Sequence, residues 1–488
     1  MGERQAAEER RSVTALPLVV DLDHTLCRSD TLHEALLAEI AHRPLSLVPL
    51  IAALPQGKTA FKRRLAALSI AEPDTLVYNE VVLDAIRAAR AEGREVHLVS
   101  ASHERQVEAV ARHLGLFDGW HGTGEAGGPN LAGEAKARWL VGRFGAGGFD
   151  YVGDHATDVP VWAEACRAIT VDASDVVRAA AERVAPQAEH LGHPRRPLGP
   201  YLKAMRPHQW LKNTLVFLPA LAAHDPGALV PALVAFVAFS LVASSVYLIN
   251  DLLDLPADRA HARKRLRPLA SGAVPIAHGV GMAGLLIAVA GTLALAATPP
   301  LFALVLAGYF ALTLAYSLVL KRRLVIDVVT LAGLYTSRIL AGGAATAIAL
   351  SPWLLALSMF IFLALAVVKR QGEMMDLAGR GASSAKGRAY AVDDLPVLRA
   401  MSLASGYCAV LVTTLYIEEA AKDVLYPNPA LLWVVPPILL YWISYIVMAT
   451  HRGRMTDDPI IFAVFDWPSR ICGVLVALAL VAASGVLG

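Results

Sequence analysis

The hydrophobic and polar positions of this chain follow two patterns, and one gives way to the other near residue 200. In the first 190 residues, apolar runs of strand length alternate with stretches rich in Ala, Arg and Glu. This alternation is typical of a parallel sheet covered by helices. The predicted strands are residues 16–21, 96–100, 150–153 and 168–172. The residues between the first two strands, roughly 29–94, predict a helical cap over the strand ends.

Beyond residue 200 the apolar runs become long enough to cross a bilayer, which takes about 20 residues in a helix. Nine runs are predicted as spans: residues 211–223, 229–249, 280–298, 300–320, 324–350, 352–368, 401–417, 429–449 and 471–487. Residues 192–200 are rich in Pro and Gly and predict a linker. We therefore predict an N-terminal α/β domain with a Rossmann-like sheet over residues 1–191, and an all-α membrane domain of nine transmembrane helices over residues 201–488.

Charge and composition separate the two halves further. Residues 1–200 hold 22 Lys and Arg against 27 Asp and Glu, whereas the remaining 288 residues hold 22 and 15. The whole chain is 56% hydrophobic and 18% charged, which is outside the usual range of soluble chains. These numbers exclude a wholly soluble enzyme and a disordered scaffold. The front half shows no basic stripe with interleaved aromatic residues, so no nucleic-acid partner is expected.

The charges of the predicted loops indicate how the chain crosses the membrane. Connections after the even-numbered spans carry several Lys and Arg each, whereas connections after the odd-numbered spans carry a single Lys422. Because positive residues are retained on the cytoplasmic side, this alternation favours nine spans in the inner (cytoplasmic) membrane. The front domain is then cytoplasmic, together with the loops that contain Asp251, Lys321, Lys386 and Arg454.

Acidic and phosphate-binding residue types follow the predicted strands of the front domain. Asp21 and Asp23 lie at the end of the first strand, where one carboxylate can act as nucleophile and the other can move a proton. Ser100 and Lys136 offer groups for phosphoryl oxygens. Asp154 and Asp158 add oxygen ligands for Mg²⁺. Any one acid alone is more easily explained as a helix cap or a solvated group, but the ordered set predicts a phosphatase site.

This set resembles the haloacid dehalogenase-like hydrolases over about residues 16–190. The resemblance implies Asp21 as nucleophile and metal ligand, and Asp23 as general acid and base with its backbone carbonyl on the metal. It also implies that Ser100 and Lys136 bind phosphate, that Asp154 is a metal ligand and that Asp158 supports it at the metal. His24 departs from the family pattern, because the family usually has Gly there.

A second acidic cluster follows the second predicted span, at the boundary of the bilayer. Asp251, Asp254 and Asp258 are spaced by three and four residues, which places them on one face of a helix end. Mg²⁺ shared with a diphosphate would neutralise them. The basic residues Lys264 and Arg267 follow, and they can take remaining phosphate charge. The alternative is a water-facing loop that holds these charges without a ligand.

This run resembles the first Asp-rich motif of the UbiA superfamily of intramembrane prenyltransferases, over about residues 200–488. The second motif is altered, since Tyr316, Lys321 and Asp327 stand where aromatic prenyltransferases usually show two acids. Together with the segment 206–213, it is similar to the decaprenyl-phosphate phosphoribosyltransferases. The resemblance implies that the first-motif acids hold Mg²⁺ and diphosphate, while Tyr316, Lys321 and Asp327 contact the remaining phosphate and sugar. The further substrate-binding residues expected are Lys212, Asn250, Lys264, Arg267 and Arg338.

Three other polar features of the membrane half allow two interpretations each. Arg338, inside the fifth predicted span, binds the lipid phosphate or pairs with a motif acid. The charges Lys369, Arg370 and Glu373 favour an ordinary positive loop over a site role. The charges of the loop after the eighth span close the site or only pair with one another; they are Arg452, Arg454, Asp457, Asp458 and Asp466.

The combined interpretation is a bifunctional membrane enzyme. The transferase moves 5-phosphoribose from phosphoribosyl diphosphate to a polyprenyl phosphate, and the phosphatase removes the 5-phosphate. The runner-up is prenylation of an aromatic acceptor from a polyprenyl diphosphate, which predicts a second acidic pair. A third hypothesis makes the front domain a non-catalytic regulatory module. Lipid chain length, the true phosphatase substrate and homo-oligomerisation stay open.

Overall fold

The computed structural model describes residues 16–43, 46–124, 130–192, 197–379, 381, 389–419, 426–455 and 458–485. Its contacts divide the chain into two compact units. Unit 1 comprises Met1–Met205 with Leu248–Met282, and unit 2 comprises Arg206–Tyr247 with Ala283–Gly488. The predicted charges Lys386, Lys422 and Asp457 lie outside the described residues.

Unit 1 is built on a parallel sheet. Its described strands are β1 (Leu18–Val20), β2 (Val96–His103), β3 (Gly119–Thr123), β4 (Asp150–Gly153), β5 (Arg167–Val171) and β6 (Glu189–Leu191). They are ordered β3-β2-β1-β4-β5-β6, and each neighbouring pair is parallel. The central β1 is fully buried, because a parallel sheet is covered on both faces. The α/β prediction for the front domain is therefore confirmed, with β3 and β6 added to the four predicted strands.

Helices cover both faces of this sheet and fill the predicted cap region. The described helices of this part are α1 (Thr31–His42), α2 (Leu47–Ile51), α3 (Lys58–Leu68), α4 (Glu80–Ala91), α5 (Glu104–Leu114), α6 (Glu134–Phe144), α7 (Val159–Glu164), α8 (Asp175–Val184) and α9 (Leu198–Met205). Helix α1 begins at an N-cap, since the Asp30 side chain accepts from the backbone N–H groups of Leu32 and His33. Asp is a preferred residue at that position. Helix α9 begins within the predicted linker, so Leu198, Gly199 and Pro200 are helical.

Most of the remaining helices are long and apolar, and three are short. In chain order they are α10 (Leu218–Ala222), α11 (Leu229–Leu253), α12 (Leu255–Ala260), α13 (Ile276–Ala297), α14 (Pro300–Leu318), α15 (Ile326–Thr346), α16 (Pro352–Gly379), α17 (Leu395–Glu419), α18 (Val435–His451), α19 (Pro459–Phe465) and α20 (Trp467–Ala483). The short α12 and the ends of α11 and α13 that flank it belong to unit 1. The rest form unit 2, whose core packs Phe239, Phe302 and Tyr309 among small residues.

Within the described residues, seven helices are long and apolar enough to cross a membrane. An eighth span results if α19 and α20, bent by 83° at Asp466, count as one. The chain is thus a multi-pass membrane protein, but the predicted count of nine is not confirmed. The predicted first span, residues 211–223, is divided between two elements. They are a 3-10 helix, Pro207–Phe217, and the five-residue helix α10. That segment is too short in helical form to cross a bilayer.

Candidate functional site

The carboxyl ends of β1 and β4 meet at one edge of the sheet and bring the front-domain acids together. Asp21 directly follows β1, and Asp154 directly follows β4, the parallel neighbour of β1. In open α/β sheets, ligands bind at the carboxyl ends of the strands, where the connections diverge. Asp158 reaches the same point from the 3-10 turn Ala156–Asp158.

Three carboxylates crowd at this edge. Asp21, Asp154 and Asp158 each offer an oxygen, and these oxygens all lie within 4.8 Å of one another. No other group of three His, Cys, Asp or Glu that could hold a metal is found in the described part of the chain. Burial, against the attraction of Lys136, raises the pKa of Asp21 to about 6. Burial and repulsion from Asp158 and Asp21 raise the pKa of Asp154 well above its ordinary value. The cluster therefore favours a bound cation.

Lys136 supplies one positive charge to this cluster from helix α6. Its Nζ lies 3.0 Å from Asp21 Oδ1 and donates to the Tyr151 hydroxyl at 2.8 Å. Tyr151 in turn donates to Asp158 Oδ1 at 2.9 Å. Burial alone would lower the pKa of Lys136, but the carboxylates of Asp21 and Asp158 outweigh it and raise that pKa. The ammonium thus stays charged beside the nucleophile position.

Asp23 is oriented differently from Asp21. Its Oδ1 accepts from both the backbone N–H and the hydroxyl of Thr31, each at 2.7 Å, and its Oδ2 accepts from the Ser102 hydroxyl at 2.5 Å. Burial, followed by repulsion from Asp30, raises the pKa of Asp23. Since a general acid must keep its proton near neutral pH, this environment suits the role expected for Asp23.

Ser100, predicted to bind phosphate at a strand end, lies within a strand that is longer than expected. Residue 100 lies inside β2, which continues to His103 with an irregular register after Val99. Ser100 is buried, and its Oγ accepts from the backbone N–H of Ser102 at 3.2 Å. The predicted strand end at Ser100 is therefore wrong by three residues, and the extension is what places Ser102 on Asp23.

His24, the departure noted in the sequence, has a backbone φ of 59°. This is the left-handed region, which Gly enters freely and other residues enter at a cost. The side chain of His24 is exposed. At His24 the turn after β1 thus has a backbone angle that Gly would adopt without strain.

The second acidic cluster lies in the part of unit 1 formed by residues 248–282. Asp251 belongs to the last turn of α11, and Asp258 belongs to α12. Both carboxylates converge on Arg267, whose Nη1 lies 3.1 Å from Asp251 Oδ1 and 2.5 Å from Asp258 Oδ2. Asp254 stands at the N-cap of α12, and Lys264 is exposed. The predicted placement of the three acids on one face of a helix end is wrong, because the helix breaks at Asp254, and the break brings the first and last acids to Arg267.

The three acids of this cluster do not converge as those of the front domain do, but the cluster offers buried oxygen donors. The Oδ1 atom of Asn250 is buried and lacks a hydrogen-bond partner. Asp251 and Asp258 are each almost fully buried, with a single guanidinium between them. Buried carboxylates that share one cation are a donor set that Mg²⁺ accepts through oxygen atoms. In the structure, the Arg267 guanidinium supplies positive charge to these two carboxylates.

The altered second motif forms a network inside unit 2. Tyr316 at the end of α14 donates to Asp327 Oδ1 at 2.9 Å. Arg370 of α16 donates to Asp327 Oδ2 at 2.5 Å, to Asp327 Oδ1 at 3.0 Å and to the Tyr316 oxygen at 2.7 Å. It also pairs with Glu373. The interpretation of Arg370 as an ordinary loop charge is wrong, since its side chain is 1% exposed. Lys321 is half-buried in the 3-10 turn Leu320–Arg322.

A second polar cluster of unit 2 surrounds Asp458. Lys212, from the 3-10 segment, donates to Asp458 Oδ2, and the Tyr335 hydroxyl donates to the same oxygen at 3.3 Å. The Nζ of Lys369 lies 3.9 Å away. Of the loop charges left open above, Asp458 thus pairs with distant helices, whereas Asp466 caps α20 and accepts from Tyr445.

Arg338 is buried in α15 among neutral groups. Its Nε donates to Asn213 Oδ1 at 2.9 Å, and its guanidinium lies over the rings of Phe239, Tyr309 and Tyr335 at 5.2, 5.3 and 5.5 Å. The rings offer cation–π attraction where hydration is missing. The groups that hold Arg338 are thus aromatic rings, an amide and a carbonyl rather than a motif acid.

Two family models match this chain, one in each half. The family model described as the UbiA prenyltransferase family matches residues 213–464. The chain belongs to the UbiA prenyltransferase family. A second model, haloacid dehalogenase-like hydrolase, matches residues 18–162 of this UbiA-family chain. The protein therefore fuses a haloacid dehalogenase-like domain to a UbiA-type membrane domain.

Three relatives illustrate how far the similarity extends. The protein y4nM from Sinorhizobium fredii is 38% identical over 96% of this chain and 91% of its own length. Nodulation protein NoeC from Azorhizobium caulinodans is 37% identical over 58% of this chain and 93% of its own length. Decaprenyl-phosphate phosphoribosyltransferase from Mycolicibacterium smegmatis is 40% identical over 40% of this chain and 63% of its own length. The match to y4nM thus covers nearly the whole fused architecture.

Several residues of this UbiA-family protein were not singled out in the sequence. They are Thr25, Thr31, Ser102 and Tyr151 in the front domain, and Tyr335 in the membrane domain. Each has a hydroxyl that donates to a carboxylate, which is eight residues away for Thr31, seven for Tyr151 and 79 or more for the other three. Hydroxyl residues are too common to mark a site by themselves. Only the packed structure shows which acid each one holds.

Proposed function

We propose that this protein makes a polyprenyl phosphoribose in two steps. The membrane domain transfers 5-phosphoribose from phosphoribosyl diphosphate to a polyprenyl phosphate. The front domain then hydrolyses the 5-phosphate of the lipid-linked product. The observation that carries the proposal is the assembled Asp21, Asp23, Lys136 and Asp154 constellation in the same chain as a UbiA domain. Relatives of that chain are named for phosphoribosyl transfer to decaprenyl phosphate.

In the first step, the bond between the ribose C1 atom and the diphosphate oxygen breaks, and an oxygen of the lipid phosphate bonds to C1. We assign Asn250, Asp251, Asp254 and Asp258 to the binding of the departing diphosphate. Arg267 leaves its two carboxylates and, with Lys264, pairs with diphosphate oxygens. Basic side chains are the usual partners of phosphate.

Residues of unit 2 are assigned to the sugar phosphate and the lipid phosphate. We assign Tyr316, Lys321 and Asp327 to the 5-phosphoribosyl group, with Arg370 holding Asp327 in place. Lys212 and Arg338 are assigned to the acceptor phosphate. The two basic side chains are almost fully buried, and a buried cation in a membrane domain is a functional candidate by default.

In the second step, Asp21 attacks the 5-phosphate, and the bond from phosphorus to the ribose O5 atom breaks. Asp23, held by Thr31 and Ser102, gives its proton to that leaving oxygen. Asp23 then takes a proton from water, which attacks the aspartyl-phosphate and releases phosphate. Lys136 neutralises the phosphoryl oxygens beside Asp21, and Ser100 is assigned to bind the same oxygens.

Mg²⁺ is the cofactor that both donor sets suit, since each offers oxygen ligands at a buried, acidic position. In the front domain Asp21, Asp154 and Asp158 would hold it, together with the backbone carbonyl of Asp23. In the membrane domain Asp251, Asp254 and Asp258 would hold it. When bound, Mg²⁺ supplies positive charge for the phosphate oxygens. We also propose that the enzyme lies in the inner membrane with both sites on the cytoplasmic side, as the loop charges predict.

Product analysis by mass tests the proposal directly. Purified protein with Mg²⁺, labelled phosphoribosyl diphosphate and a polyprenyl phosphate should yield labelled lipid without a 5-phosphate. Added chelator should abolish the label. Failure to label the lipid, together with prenylation of an aromatic acid from a polyprenyl diphosphate, would replace this proposal with the aromatic prenyltransferase reaction.

A further inference from the structure

A buried ion pair joins the cap of the phosphatase domain to residues 248–282, which we call the acidic segment. Both partners belong to unit 1. Arg259, the residue after Asp258, donates from Nη2 to Glu34 Oε1 at 2.7 Å and from Nη1 to Glu34 Oε2 at 3.1 Å. The two side chains are 7% and 5% exposed. A two-point guanidinium–carboxylate contact fixes direction as well as distance.

The same guanidinium is held at two further points. Its Nη1 donates to the carbonyl oxygen of Thr75 at 3.0 Å, and its Nε donates to the carbonyl oxygen of Ala270 at 3.0 Å. The first contact joins Arg259 to a second part of the front domain, at Thr75. The second contact joins Arg259 to Ala270 within its own segment. Arg259 therefore ties α12, the residues after Arg267 and the cap into one rigid piece.

Each end of this connection leads to a reactive carboxylate. On one side, Asp258 shares α12 with Arg259 and is bound to Arg267. On the other side, Glu34 lies one turn after Thr31 in α1, and Thr31 holds Asp23. Residues three apart on a helix share a face. The side chain of Glu34 contacts Arg259 and not Asp23, so loss of its charge leaves the Thr31 and Ser102 contacts of Asp23 in place.

We propose that Arg259 and Glu34 are positioning residues through which the phosphatase domain sets the diphosphate affinity of the acidic segment. With Glu34 in place, α12 presents Asp258 opposite Asp251. Without it, the buried guanidinium of Arg259 lacks its counter-charge and competes for the carboxylate of Asp258. A buried charge without its partner is strongly unfavourable, so α12 would turn to repair the loss. The front domain then acts as a structural part of the transferase as well as a hydrolase. This inference rests on the proposed function only in taking the acidic segment as a diphosphate site.

Calorimetry of inorganic diphosphate with Mg²⁺ on the full-length protein tests this role. The heat lost in a variant with Asp251→Asn and Asp254→Asn defines binding by the acidic segment. Glu34→Gln should weaken that binding by about ten-fold or more, as losing an outer-shell partner typically does. Glu34→Asp keeps the charge on a shorter side chain and should fall between Glu34→Gln and the parent. Asp84→Asn removes an exposed carboxylate of α4 and should bind diphosphate as the parent does.

Hydrolysis of a small phosphate ester separates positioning from folding. Glu34→Gln should hydrolyse p-nitrophenyl phosphate as the parent does, while its diphosphate binding is weakened. Unchanged diphosphate affinity in Glu34→Gln would overturn the proposal, and so would a parallel loss of both properties. If Glu34→Gln does not fold, Glu34→Asp and Arg259→Lys are read in the same way. Parent protein that binds diphosphate without making lipid-linked phosphoribose would refute the proposed substrate and leave this test intact.

Discussion

His24 shows how a single backbone angle constrains the residue that follows the first acids of the front domain. Its φ of 59° belongs to a region that costs an ordinary L-residue about 1–2 kcal/mol. The side chain is exposed, so a replacement there changes backbone strain with little effect on packing. The turn between Asp23 and Thr25 is therefore maintained by the surrounding contacts rather than by the preference of His24.

Substitution of His24 should separate backbone from side-chain effects. His24→Gly should leave ester hydrolysis intact and keep or raise the thermal midpoint, because Gly adopts this angle without strain. His24→Val should lower the free energy of unfolding by about 1–2 kcal/mol, because a branched side chain is least tolerated at positive φ. Thermal unfolding of the two variants checks this. A Val variant as stable as the parent would show that the turn relaxes.

Replacing the nucleophile gives a second prediction at this scale. Asp21→Asn should reduce hydrolysis of p-nitrophenyl phosphate by roughly a thousand-fold or more, since an amide cannot form the acyl-phosphate. Trapping by beryllium fluoride should also require Asp21. Asp84→Asn is the matched control, with an exposed carboxylate changed in the same way. Substantial hydrolysis by the Asp21→Asn protein would point to direct attack by water.

The sequence allowed most charged residues of the front site to be predicted, because Asp21, Lys136, Asp154 and Asp158 follow the strands in chain order. The structure brings them together as that order implies. Their individual roles stay predictions. Ser102 was not predictable, since the stretch after Val99 lacks the apolar residues that mark a strand. The pairing of Arg370 with Asp327 was not predictable either, because the two residues are 43 positions apart.

Among the elements, α15 illustrates how closely two segments of unit 2 approach. A methyl group added at Gly342 would overlap the carbonyl oxygen of Val216 and touch Pro219 Cδ. Gly333, nine residues earlier in the same helix, has open space at the same position. The close contact lets the 3-10 segment that carries Lys212 pack directly on α15.

These two glycines form a matched pair for an element-scale prediction. Gly342→Ala should destabilise unit 2 by about 1–3 kcal/mol, because a backbone carbonyl cannot move aside as a side chain can. Gly333→Ala should be neutral or stabilising by up to about 1 kcal/mol, since Ala is the better helix former. Thermal midpoints in detergent compare the two. Equal midpoints would mean that α15 shifts away from Val216 at little cost.

Elements with a strong apolar pattern were predictable, and those without one were not. β4 was predicted at its observed bounds, whereas β3 and β6 have the sequences GWHGT and EHL, which carry no apolar run. Their strand form depends on pairing with β2 and β5. The predicted first span has enough apolar residues to cross a membrane. It is divided, however, into two short helices, and Pro207 and Pro219 stand in their first turns.

On the scale of the whole molecule, the fusion predicts an ordered dependence of lipid products. Asp21→Asn should make a lipid accumulate that is heavier than the normal product by one phosphate. Asp251→Asn with Asp254→Asn should remove both lipids, since the diphosphate then loses its ligands. Mass analysis of lipids from cells carrying each variant checks this. An unchanged lipid profile with Asp21→Asn would show that the two domains are fused for another reason.

The two-part organisation was predictable from local patterns, since hydropathy and charge both change near residue 200. The contacts of residues 248–282 with the front unit were not. The hydrophobic pattern of a segment indicates which of its residues are buried. It does not indicate which distant segment they pack against. Glu34 and Arg259 are 225 residues apart, and neither residue stands in a pattern that names the other.

The length of α16 sets the depth at which charge is met in the membrane. Its 28 residues extend about 42 Å, whereas the hydrocarbon core is about 30 Å thick. Counted from Pro352, Arg370 lies about 27 Å along the axis. The helix is thus longer than the hydrocarbon core is thick, and Arg370 lies in its C-terminal third. For the acceptor phosphate proposed above, a cation near the end of such a helix would spare the anion the cost of entering the hydrocarbon core.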